Sequence, residues 1–96
     1  MLAEIHRLAA RRQIRLTIKA ASEVTLLGLD EEDVLAILST LKLRDLVRRV
    51  ESSHTPEWLY VFKPRVGGMA LYVKLIVRTD CVVISFHEDE EDDEDS

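Results

Sequence analysis

The chain is poor in the residues that most often declare a function. Cys81 is the only cysteine among 96 residues. One thiol cannot close an internal disulfide, so a stapled secreted scaffold is excluded. Cys81 also has no partner at ligand spacing, and His6, His54 and His87 are far apart, so there is no metal motif. Glycine occurs three times. The "VGG" at 66–68 is too short to cradle a phosphate and reads as a turn. No nucleophile elbow occurs. No segment approaches the ~20 apolar residues that span a bilayer. The start, "MLAEIHRLAARR", lacks an apolar stretch of signal-peptide length and is interrupted by Glu4. These absences lead to the expectation of a cytoplasmic protein with no cofactor, no metal and no membrane partner.

What is present is a globular composition with an uneven charge. Hydrophobic residues make up 47% of the chain, enough for one modest core in one domain. The formal net charge is −5, but residues 88–95 are all acidic; without those 8 carboxylates the chain has 13 basic and 10 acidic side chains, a net of +3. A mildly basic body suits an anionic partner, and the acidic end repels the same partner. The boundary is read as a domain over 1–87 and a tail over 88–96, too charged to pack and expected to be disordered.

Helical spacing comes first. Leu2, Ile5, Leu8 and Ala9 form one stripe of a short helix over 2–11. "QIRLT" (13–17) reads as a short edge strand. Thr17 is placed to cap a helix over 18–27, which Gly28 ends. Asp30 caps the next helix, with Glu31, Glu32 and Asp33 in its first turn. Val34, Ile37, Leu38 and Leu41 then recur at i, i+3, i+4 and i+7. From Leu43 the period changes. "RDLVRRVE", "WLYVFKPR", "MALYVKLIVR" and "CVVISFH" are β-branched and aromatic runs separated by turn signals. Short gaps imply hairpins, and helices followed by strands imply an α+β fold with the N-terminal helices packed on one face of a mainly antiparallel sheet.

Strand alternation sorts the side chains. In "MALYVKLIVR", Leu71, Val73, Leu75 and Val77 share a core face. Tyr72, Lys74 and Arg78, with Ile76, share the other. In "CVVISFH", strict alternation puts Val82, Ile84 and Phe86 on the core side and Cys81, Val83, Ser85 and His87 on the open side, beside Tyr72 and Lys74. Lys63 and Arg65 add positive charge nearby. Of Arg48 and Arg49 only one can point to the open face, and the pattern does not choose. Trp58 alternates with Tyr60 and Phe62, which favours core over stacking on a base. A Lys/Arg/Tyr face is also what solubility alone requires, and His54 reads as turn chemistry without a role.

The segments "EVTLLGLDEEDVLAILSTL", "HTPEWLYVFKPR" and "LYVKLIVRTDCVVISFHE" together resemble the MqsR family of bacterial toxins, over about Leu2 to Glu88. The Gly28-Leu29-Asp30 junction, Trp58, Pro64-Arg65, Tyr72, Lys74 and Ser85-Phe86 carry the resemblance by their joint order and spacing. It implies a RelE-like fold and an endoribonuclease toxin, an mRNA interferase that works without metal. In that chemistry a ribose 2′-hydroxyl attacks the adjacent phosphate and expels the 5′ oxygen. The reaction needs a base, cations for the developing charge and an acid for the leaving oxygen. The resemblance places the catalytic positions at Arg48 (or Arg49, one position on), Tyr72 and His87. His87 stands where the family has a lysine, and Leu59 where it has a glutamine. Imidazole titrates near neutrality and serves as acid or base. Arg49, Lys63, Arg65 and Lys74 are the expected RNA contacts. The implied partners are mRNA and a cognate antitoxin with a helix-turn-helix portion and often a zinc-binding portion.

Leu59 keeps a second function class open: a RelE-fold module that binds antitoxin or RNA without cutting. The acidic tail has three readings: assistance to the histidine it follows, competition with RNA for the basic face, or solubility.

Overall fold

The computed structural model describes residues 1–51, 53 and 57–89. Among the described residues three α-helices, α1 (Leu2–Ala10), α2 (Ile18–Leu26) and α3 (Glu31–Ser39), accompany six strands. The strands are β1 (Ile14–Leu16), β2 (Leu46–Glu51), β3 (Trp58–Phe62), β4 (Arg65–Val66), β5 (Met69–Val77) and β6 (Cys81–Glu88). They form one sheet in the order β1-β6-β5-β3-β2, with β4 paired to β5. Among these described strands, β1, parallel to β6, alone breaks the antiparallel pattern. The fold is α+β, with the helices at the N-terminus, as the sequence implies.

Local chemistry explains the helix boundaries. The Thr17 hydroxyl accepts from the Ala20 N–H at 3.1 Å. Asp30 and Asp33 form a reciprocal capping box at the start of α3. Each such cap is worth about 1 kcal/mol. Gly67 and Gly68 both have positive φ, at 59° and 83°. They form the tight turn between Val66 and Met69, which are paired. A turn of that kind needs φ > 0 at both central positions, so glycine fits there. The run "WLYVFKPR" does not remain one strand. β3 stops at Phe62 because Pro64 has no N–H to continue the ladder. The Lys63 N–H turns to the Asp45 carbonyl at 2.8 Å.

The core lies between the helices and one face of the sheet. Ile5, Leu8, Val34 and Leu38 meet Phe62, Leu71, Val73, Leu75 and Phe86, all essentially inaccessible. Burying each such side chain contributes about 1.5–3 kcal/mol. His6 stitches α1 to the end of α3 by donating from Nε2 to the Leu41 carbonyl at 2.8 Å.

Strict alternation fails in β6. Lys74 pairs with Ser85 but Leu75 pairs with Val83, so Ile84 is an extra residue. A bulge of this kind resets the pleat. Cys81 and Val83 before it and Phe86 after it therefore all reach the core, at 0% exposure. Cys81 and Val83 do not share the open face with Ser85 and His87, contrary to the sequence expectation. Burial first, and then the Asp80 charge, pushes the Cys81 thiol up to about 12, which leaves it unreactive at neutral pH. Glu88 ends β6, and Asp89 is buried behind it. Of the tail over 88–96 expected to be disordered, Glu88 and Asp89 are described, one in β6 and the other buried; its residues 90–96, and the reading of His54 as a turn residue, fall outside the described residues.

Candidate functional site

The sheet face turned away from the helices carries a shallow pocket of about 190 Å³. Arg48, Val50, Leu59, Val61, Tyr72 and Lys74 line it. The strand register explains this set. Arg48, Val61, Lys74 and Ser85 lie opposite one another in one row across β2, β3, β5 and β6. Val50, Leu59, Ile76 and Val82 form a parallel row. Directly paired residues share a face, so the pocket has an aliphatic floor under an arginine, a lysine and a tyrosine. Val61 in that floor is only 1% exposed.

A second bulge decides between the arginines. Leu46 pairs with Phe62 and Arg48 with Val61, which leaves Val47 as the extra residue. Arg48 consequently faces the pocket. Arg49 pairs with Tyr60 on the opposite face, and its guanidinium lies 4.6 Å from the centre of the Trp58 ring. Trp58 itself is 43% exposed, so it is not a core residue.

Tyr72 and His87 are directly paired across β5 and β6. Their rings stack with centroids 4.9 Å apart and planes 8° from parallel. The His87 Nδ1 lies 2.9 Å from the Glu88 carbonyl oxygen. A carbonyl can only accept, so Nδ1 carries the proton of this bond. The other nitrogen, Nε2, is then the one that can take or give a proton to a bound molecule. Lys63, the residue after β3, approaches the same ring pair, with Nζ 6.0 Å from the Tyr72 ring centre. Arg65 sits on β4, opposite Ala70. The structure thus brings Arg48, Lys74, Tyr72, His87 and Lys63 to one region and leaves Arg49 on the other face.

One contributor is not visible in the sequence pattern. β1 covers only residues 81–83 of β6, so among the described residues the edge beyond that point has no strand partner. The start of α2 clasps it instead. The Thr17 hydroxyl donates to the Ile84 carbonyl at 3.3 Å. Lys19 Nζ donates to the Ser85 hydroxyl at 3.0 Å. The Glu23 carboxylate accepts the Phe86 N–H at 2.8 Å and pairs with Lys19 at 2.9 Å. Burial pushes the Glu23 carboxyl up. The hydrogen bonds from Lys19 and from the Phe86 N–H, with the charges of Lys19 and His87, outweigh burial and hold it below the ordinary carboxylate value. This clasp fixes the backbone on which His87 is mounted. Among the described residues, no group of His, Cys, Asp or Glu side chains could hold a metal ion. Among the described residues, too, no helix is long and apolar enough to cross a membrane.

Against models of known families, residues 1–88 match the one described as motility quorum-sensing regulator, toxin of MqsA. The chain belongs to the MqsR toxin family. The match ends at Glu88, the last residue of β6, so MqsR membership covers every element that builds the pocket. No curated protein matches the chain.

Proposed function

We propose that this MqsR-family toxin is an endoribonuclease that cleaves mRNA by transesterification at the pocket face. The observation that carries the proposal is the stacked Tyr72–His87 pair standing beside the Arg48–Lys74 pocket. A scissile phosphate between them would meet a titratable ring nitrogen on one side and fixed cations on the other. The 2′-hydroxyl oxygen forms a bond to phosphorus and the bond from phosphorus to the 5′ oxygen breaks. The Tyr72 hydroxyl positions the attacking hydroxyl, whose proton passes to water. His87, protonated, donates from Nε2 to the departing 5′ oxygen and is recharged from solvent. Arg48 and Lys74 balance the extra negative charge of the pentacovalent phosphorus, the kind of electrostatic assistance that dominates many catalysed steps. The products are a cyclic phosphate and a 5′-hydroxyl end.

Side chains supply the cations and the acid, water takes the proton of the attacking hydroxyl, and no step passes through a metal. The family description, toxin of MqsA, supports an antitoxin as the neutralising partner, of the helix-turn-helix and zinc-binding type that the resemblance implies. RNA contacts from Arg49 and Arg65 would lie away from the pocket, along the path of a longer strand.

Leu59 favours a second reading. It puts an aliphatic side chain in the pocket floor, where a non-cutting module would lose little by it. Mapping transcript ends separates the two. Wild type is expected to leave cyclic phosphates, and a 2′-deoxy substitution at the scissile site to block cleavage. His87→Ala is expected to slow cleavage about 10²–10⁴-fold, the range of a general acid. Intact transcripts with folded wild type would favour the binding module.

A further inference from the structure

Among the described residues, Asp89 is the one buried carboxylate near the proposed site. Its side chain is 2% exposed and its carboxylate lies 3.5 Å from Lys63 Nζ. Its N–H donates to the Ala70 carbonyl at 2.8 Å, which extends the β5–β6 ladder by one bond. Lys63 is anchored in turn, with its N–H on the Asp45 carbonyl and its side chain 21% exposed. A buried carboxylate is costly unless a cation meets it. A free lysine side chain samples many rotamers, and a fixed counter-charge selects among them. Here the selected arrangement leaves the ammonium 6.0 Å from the Tyr72 ring centre, on the ring that stacks against His87.

We propose that Asp89 is a positioning residue that acts through Lys63, holding the lysine ammonium beside the Tyr72–His87 pair, where it meets a phosphate of bound RNA. The proposal rests on the ribonucleolytic reading for its RNA half. Its geometric half stands independently. Asp89 thus belongs to the working part of the molecule, although the sequence presents it as the second member of a charge run. The carboxylate does not compete with RNA; it sets where one cation stands.

The test uses the full chain with Asp89→Asn, Lys63→Met and the double substitution. Asparagine keeps the shape and loses the charge. Asp89→Asn is expected to lower the single-turnover cleavage rate of a ribo-oligonucleotide roughly 10-fold, short of the ~10²-fold of a 1 Å misplacement. Half-saturation should stay within about twofold, because uniform binding is not what is lost. The double variant should be no slower than Lys63→Met alone, because the two residues act as a unit. A faster Asp89→Asn enzyme, or rate losses that multiply in the double variant, would overturn the proposal. A second readout needs neither cleavage nor a folded variant. Lysine side-chain relaxation by NMR on the wild-type chain should find Lys63 immobilised compared with Lys42 on the surface. A Lys63 as mobile as Lys42 overturns the proposal. Absence of cleavage in every form would defeat the ribonuclease reading, while a mobile Lys63 would still overturn the geometric half by itself.

Discussion

Replacing Arg48 by alanine removes a guanidinium from the pocket wall; replacing Arg49 removes one from the face behind. Arg48→Ala is expected to slow RNA cleavage about 10²-fold, the usual loss of one transition-state contact. Arg49→Ala should cost at least ten times less, since it takes away a contact with Trp58 worth about 0.5–1 kcal/mol. Single-turnover rates of the two variants on one substrate check this, and equal losses would mean that the arginines share a face under working conditions. Periodicity could show that the two point to opposite sides. It could not show which points where, because Val47 is supernumerary only with respect to the register of β3. Tyr72 and Lys74 were legible because β5 alternates without interruption against a buried aliphatic set.

At the scale of elements, α2 acts as a substitute strand for the open edge of β6. Glu23 has its carboxyl held below the ordinary value of 4.5, because the bonds from Lys19 and Phe86 and nearby positive charge overcome burial. The folded chain therefore gives up this proton more readily than the unfolded chain. The stabilisation is complete above 4.5 and is lost as pH falls through the lower folded value. Glu23→Ala should cost about 1–2 kcal/mol at pH 7, within the range of hydrogen bonds to charged groups. The gap between variant and wild type should narrow in acid. Urea unfolding at neutral and at acid pH measures both, and a gap that stays constant would show that the charge on Glu23 contributes nothing. The helix itself was readable from Thr17 and from Gly28. Its task was not, because the Glu23–Phe86 bond joins residues 63 positions apart. Contacts of that separation leave no local signature. The β6 bulge escaped for a related reason: "CVVISFH" alternates plausibly in either phase until β5 imposes the register.

At the scale of the molecule, charge is distributed against the proposed substrate. Removing the six carboxylates of residues 90–95 takes the formal net charge from −5 to +1. A chain ending after Asp89 keeps the Lys63 pair and should bind a single-stranded ribo-oligonucleotide more tightly than the full chain at low salt. The advantage should vanish near 1 M salt, where charges are screened within about 3 Å. Titrations of both chains across a salt series provide the check, and superimposable curves would assign the acidic end to solubility alone. The two bulges bear on how relatives of this protein can be compared. Any alignment that matches aliphatic positions through β2 and β6 without a gap at Val47 or Ile84 will be one residue out of phase at the side chains proposed to act. A histidine or arginine is then counted as missing from a homologue when it has only been filed in the neighbouring column.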